Sequence, residues 1–188
     1  MNQIRTYFEQ ITEMSDEDWN IFSSKLKKSE YKKKTTLLKI GETETHLSFI
    51  EKGSIRLFIP KTDNDLTFGF CFKDQFMSAY DSFLTQKPST YQTETLTETT
   101  LWKITFNDLQ DIYKTTKAGD IIGRLAAENL FLLKAKREQA LLNDTAEERY
   151  LNLFTEQPHL IKEIPLKYLA SYIGITPQAL SRIRKRIS

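Results

Sequence analysis

Gln178, Ser181, Arg182 and Lys185 recur at i, i+3, i+4 and i+7, so on a helix they share one face, and none of the four is apolar. Gln and Arg carry flat, two-pronged hydrogen-bonding groups that match the edges of adenine and guanine, and a cation such as Lys matches a phosphate. The chemistry of such a face is recognition rather than catalysis. The preceding residues set its geometry. Thr176 can cap a helix through its hydroxyl, and Pro177 suits a first turn, where an N–H has no partner anyway. Gly174 supplies the positive φ of a tight turn, and Ala170 is small where two helices must cross closely. Leu180, Ile183 and Ile187 then form an inward stripe against Leu169 and Ile173. The stretch 166–186 reads as a helix-turn-helix whose outward face fits the major groove of double-stranded DNA. Gln178 and Arg182 are expected to read base edges. Thr176, with the N–H groups at the helix start, and Lys185 or Arg186 are expected nearer phosphates, while Ser181 completes the face. The plainer reading is a helical hairpin made soluble by basic residues.

Charge is distributed to match. Residues 162–188 hold six basic side chains and one acid, a net +5, which leaves −3 for the rest of a 188-residue chain that totals +2. A slightly acidic body with a basic end suits a protein that meets a polyanion at that end. Other function classes lack their residues. The single cysteine, Cys71, cannot form an internal disulfide or a cysteine metal site, and in the run 68–72 it reads as a small buried hydrophobe. A metal-dependent β-barrel enzyme needs several histidines and carboxylates converging on one ion, and with only His46, before a strand, and His159, in the linker before the helix-turn-helix, neither that enzyme nor a haem or iron–sulfur sensor is expected. No enzyme activity, metal or cofactor is assigned. Without a long apolar run or a leader-like start, the expected location is cytoplasmic, with no membrane partner.

These functional residues need a scaffold. Up to about Lys28 the chain reads as helical, with a capping pattern at Ser15 and Asp18 and apolar residues Trp19, Phe22 and Leu26 at helical spacing. From Tyr31 to about Ile104, short runs rich in Thr, Phe, Tyr, Ile and Leu alternate with turn signals at 41–42, 52–53, 63–65 and 87–89. Seven or eight strands in a barrel or sandwich are expected. Thr105 and Asp108 open a short helix to about Lys114. Between Gly119 and Asn143, Ile121, Ile122, Leu125, Ala126, Leu130, Leu132, Leu133 and Ala140 gather into one wide stripe, with Asn129 and Lys136 in its middle. That helix can pair with its own copy or can cover the β-domain. Thr145 and Glu148 start another helix, to about Thr155, with Tyr150, Leu151 and Phe154 on its apolar side and Gln157-Pro158 as its stop.

This order of parts, with Lys39-Ile40-Gly41-Glu42, Phe49 to Leu57 and above all Ile173 to Lys185, resembles the Crp/Fnr family of bacterial transcription regulators over nearly the whole chain. The resemblance implies an α+β fold: an N-terminal antiparallel β-roll (a double-stranded β-helix), a long dimerisation helix, and a C-terminal, winged-helix-like helix-turn-helix. It implies a cyclic-nucleotide-binding-like domain with N-terminal helices at 1–117, a linker and dimerisation helix at 118–143 and a DNA-binding domain at 144–188. It further implies a homodimer joined through 119–142 on a roughly palindromic site. The sensor departs from the family's cAMP pattern, in which a Glu takes the ribose hydroxyl and an Arg the cyclic phosphate. Ala79 stands where the carboxylate belongs and Ser89 where the guanidinium belongs, so control by cAMP is not expected. Two readings of the pocket stay open: an unknown small-molecule effector contacted by Phe70, Met77, Tyr80, Ser89, Thr90 and Asn129, or a roll filled by its own side chains. For the whole chain the competing reading is a small-molecule-binding module whose terminal helices contact a protein instead of DNA. If Ser188 ends the protein, no β-hairpin follows the reading helix.

Overall fold

A computed structural model describes residues 1–187; Ser188, the last residue of the basic segment, lies outside them. The chain forms two compact units, one of Met1–Leu57 with Phe70–Asn129 and one of Phe58–Gly69 with the residues from Leu130 onward.

The first unit starts with helices α1 (Asn2–Glu9) and α2 (Asp16–Ser24). The Ser15 hydroxyl accepts the Asp18 N–H at 3.1 Å and caps α2. Strands β1 (Lys27–Tyr31), β2 (Thr36–Leu38), β3 (His46–Lys52), β4 (Ser54–Ile59), β5 (Leu66–Phe72) and β6 (Phe76–Met77) follow. After helix α3 (Tyr80–Thr85) come β7 (Gln92–Thr95), β8 (Thr99–Thr105) and helix α4 (Phe106–Thr115). The strands form two four-stranded sheets, ordered β1-β8-β3-β6 and β2-β7-β4-β5. Ile50 and Met77 from one sheet meet Ile55 from the other, with Leu101, in a buried cluster inside the roll. A larger cluster of Ile4, Phe8, Phe22, Leu26, Phe49, Phe83, Ile104, Leu109 and Ile112 packs the helices on the β1-β8-β3-β6 sheet. Thr105 caps α4 by accepting the Asp108 N–H at 3.1 Å.

Four local expectations are corrected here. The N-terminal segment is two helices, the second ending at Ser24. Lys27 and Lys28 are strand, because all five residues of β1 pair with β8, from Lys27 opposite Lys103 to Tyr31 opposite Thr99. Cross-strand pairing over a full strand outweighs the weak helical preference of lysine. The helix α3 was not foreseen; six residues are too few to show a period. Cys71 is half-buried at the edge of the Ile50 cluster instead of buried.

Helix α5 (Gly119–Asn143) runs from the first unit into the second. The second unit contains α6 (Ala146–Glu156), α7 (Pro158–Glu163), α8 (Leu166–Ile173) and α9 (Pro177–Ile187). Thr145 and Glu148 make a complete capping box at α6. Leu153, not Leu151 or Phe154, joins Tyr150 on the buried side of α6, and the last two are exposed. The core here is built from Tyr150, Leu153, Leu160, Ile164, Leu169 and Leu180. Among the described residues no helix is long and apolar enough to cross a membrane.

Candidate nucleic-acid interface

Helices α8 and α9 meet through Leu169, Ala170, Ile173, Leu180 and Ile183, all buried. Ala170 has no exposed surface, as close helix crossing requires. Gly174 ends α8 at φ +83°, a left-handed conformation that suits glycine. The Ile175 N–H reaches back to the Ala170 carbonyl (3.0 Å) and the Gly174 N–H to Ser171 (3.1 Å), closing the turn. Thr176 then starts α9: its hydroxyl oxygen accepts the Ala179 N–H at 3.2 Å, and its carbonyl accepts the Leu180 N–H at 3.0 Å. Pro177 is the first residue of the helix.

The face opposite the buried stripe carries Gln178, Ser181, Arg182 and Lys185, all exposed. Thr176 is exposed beside them at the helix start. Arg186 is exposed too, but its guanidinium is 2.5 Å from Glu147 of α6, so part of its charge is already answered within the chain. Ile187 is corrected: it is 38% exposed and leaves the apolar stripe to Leu180 and Ile183. Ile187 stands one turn beyond Ile183, the last buried residue of α9.

Two arginines that the sequence reading passed over reach the same turn. Arg137 of α5 donates to the Tyr172 carbonyl at 2.7 Å and lies 3.9 Å above the Tyr172 ring. Burial lowers its pKa, and the neighbouring Arg149 adds to that effect, while Tyr172 opposes it. Arg149 of α6 donates to the Ile173 carbonyl at 2.9 Å and to the Asp144 carbonyl at 2.5 Å. Nothing in sequence sets them apart, since Arg137 stands among Lys134, Lys136 and Glu138 and Arg149 directly follows two glutamates. Ser171 makes a further link: its hydroxyl donates to the Asp65 carbonyl (2.5 Å) and accepts the Thr67 N–H (2.7 Å) of the β4–β5 tip.

In the sensor, Ala79 is buried at the start of α3. The Ser89 hydroxyl is used locally, donating to the Tyr91 carbonyl at 2.9 Å. Met77 packs in the Ile50 cluster and Tyr80 against the Phe83 cluster, while Phe70 is half-buried on β5. Thr90 and Asn129 are exposed. Arg56 on β4 is 2% exposed and paired with Glu94 of β7 at 3.5 Å, and as the strand neighbour of Ile55 it points away from the Ile50 cluster. A single charged letter in an apolar strand gives no sign of which way it points. His46 is half-buried; burial lowers its pKa and Lys103 and Lys27 add to that, favouring the neutral ring. His159, expected in a linker, lies on α7. The linker reading failed because Pro158, read as a stop, instead opens the next helix.

Helix α5 leaves a large apolar surface open: Phe131, Leu132, Leu133 and Leu142 are 60–79% exposed, and its only buried residue is Gly119. Phe131 and Leu142 stand three turns apart on one line of the helix.

Residues 28–116 match the cyclic nucleotide-binding domain family. Comparison with curated protein sequences gives no match. Solved structures share the fold over most of the chain. One is a transcriptional regulator of the Crp/Fnr family from Eubacterium rectale (16% identity, 96% of this chain over 87% of that one, TM-score 0.72). Others are FixK2 from Bradyrhizobium japonicum (14%, 86% over 84%, 0.70) and the c-di-GMP-responsive global regulator CLP from Xanthomonas campestris (17%, 92% over 91%, 0.68). At these identities the likeness is one of fold.

Proposed function

We propose that this chain, which carries a cyclic nucleotide-binding domain and the fold of the Crp/Fnr regulators, is a sequence-specific DNA-binding transcription regulator that is not controlled by cAMP. The observation that carries the reading is the exposed row Gln178, Ser181, Arg182 and Lys185 on a capped helix behind a glycine turn. Gln178 and Arg182 read bases, and Thr176, Lys185 and Arg186 position the helix on phosphates. The open apolar line on α5 supports a homodimer joined through 119–142, with sensor, linker and DNA-binding parts at 1–117, 118–143 and 144–188. Burying a large apolar side chain is favourable by about 1.5 to 3 kcal/mol, so covering Phe131 and Leu142, which share one line of α5, favours pairing along it.

Two features argue against cAMP as the effector: Ala79 offers no carboxylate and Ser89 no guanidinium. Phe70, Ser89, Thr90 and Asn129 remain the residues for an effector of another kind. The packing of Met77 and Tyr80 favours a roll filled in part by its own side chains.

The test is fluorescence anisotropy on a palindromic duplex enriched by selection. Affinity falls linearly in log K against log salt. Arg182→Ala costs about 1 to 3 kcal/mol and relaxes the preference at one base pair, whereas Lys185→Ala weakens all sequences alike. Unchanged binding in both variants overturns the placement of α9. Salt-insensitive capture of a protein by the same face overturns the DNA reading.

A further inference from the structure

The last four carbonyls of α8 have their partners divided between two kinds of group. Those of Ala170 and Ser171 are satisfied by the N–H groups of Ile175 and Gly174, within the turn itself. Those of Tyr172 and Ile173 are satisfied by Arg137 and Arg149, which come from α5 and α6. Helix-end carbonyls are ordinarily left to water or to a local turn. Here two cations stand at the negative end of the α8 dipole, where their charge is favourable despite their mutual repulsion. Charged hydrogen bonds from a rigid guanidinium fix direction as well as distance, which apolar packing does less well. Arg137 adds a stacked contact on Tyr172, and Arg149 also holds the Asp144 carbonyl just past the end of α5. Since α8 and α9 are packed together through a shared core, holding the end of α8 holds the reading helix as well.

Resting on the reading of the chain as a DNA-binding dimer joined along α5, we propose that Arg137 and Arg149 are positioning residues. They fix the angle of α9 to α5, and through it the distance between the two half-sites that the dimer accepts. Neither arginine touches DNA. They act on geometry: a dimer reads two half-sites about one helical turn apart, and a pair of reading helices free to swing accepts several separations.

The experiment uses the full chain and a series of duplexes carrying two copies of the selected half-site, with the gap changed one base pair at a time, plus a duplex with one half-site. The wild-type protein binds one gap in clear preference to its neighbours. Arg137→Gln with Arg149→Gln loses about tenfold of that preference while affinity for the single half-site stays the same. Arg137→Lys keeps the charge but not the fork or the stack; it loses part of the preference with little change in thermal unfolding, which covers the case in which the Gln variant does not fold. The proposal is overturned if the Lys variant and any folded Gln variant keep the wild-type gap preference, or if half-site affinity falls in step with it. A wild-type protein that binds none of the duplexes overturns the DNA reading itself, and this proposal with it.

Discussion

At Gly174 and Gly53 the backbone takes φ of +83° and +100°, yet a Cβ would meet very different surroundings at the two sites. At Gly174 the nearest atoms, on Arg149 and Leu141, are 3.8 Å away, so an added methyl group fits and only the left-handed backbone resists it. At Gly53 the Glu98 carbonyl would be 2.6 Å away and the Thr99 hydroxyl 2.5 Å, and the carbonyl belongs to backbone that cannot swing aside. Gly174→Ala is therefore expected to cost about 1 kcal/mol, and Gly53→Ala about 2 to 4 kcal/mol, in urea unfolding. Equal costs would show that strain alone decides both. The site residues divide along a similar line. Thr176, Gln178 and Arg182 were legible because helix capping and helical period are local rules. Arg137 and Arg149 were not, since their partners are backbone carbonyls up to 35 residues away, which no spacing rule encodes.

Helix α5 is the element whose exposure most needs a partner. Phe131→Ser with Leu142→Ser removes two side chains that are 71% and 79% exposed in the single chain, so little of the chain's own packing is lost. Sedimentation is expected to show the proposed dimer for the wild type and a monomer for this variant, with the circular dichroism of the fold retained. A dimer that survives the double substitution places the seam elsewhere. Among the other elements, helices opened by Ser15, Thr105 and Thr145 were readable because the cap is written in the sequence. The alternation expected of a half-buried strand fails at β4, where Ser54 to Phe58 are buried in succession. Period-two patterning vanishes when both faces are covered, and composition and turns alone then identify the strand.

Taken whole, the chain joins a β-roll that matches the cyclic nucleotide-binding domain family over residues 28–116 to a helical unit whose α9 face is polar and basic. The full-length protein in 1 mM cAMP is expected to unfold at its ligand-free temperature. A ligand at a hundred times its Kd adds about 2.7 kcal/mol, and a shift of several degrees overturns the proposal that cAMP is not the effector. Most of the order of elements was legible because it rests on turns, caps and periods, but the six-residue helices α3 and α7 were not, being too short to show a period. The way the β4–β5 tip groups with the helices was not, because it depends on pairing across about a hundred residues.

On the hairpin side, that pairing involves only main-chain atoms, the Asp65 carbonyl and the Thr67 N–H, while α8 contributes the Ser171 hydroxyl. Evolution can thus rewrite the exposed letters from Lys61 to Asn64 without touching the joint, whereas losing one hydroxyl, as in Ser171→Ala, removes both of its bonds. The tip is accordingly a natural place to graft a fluorophore or epitope.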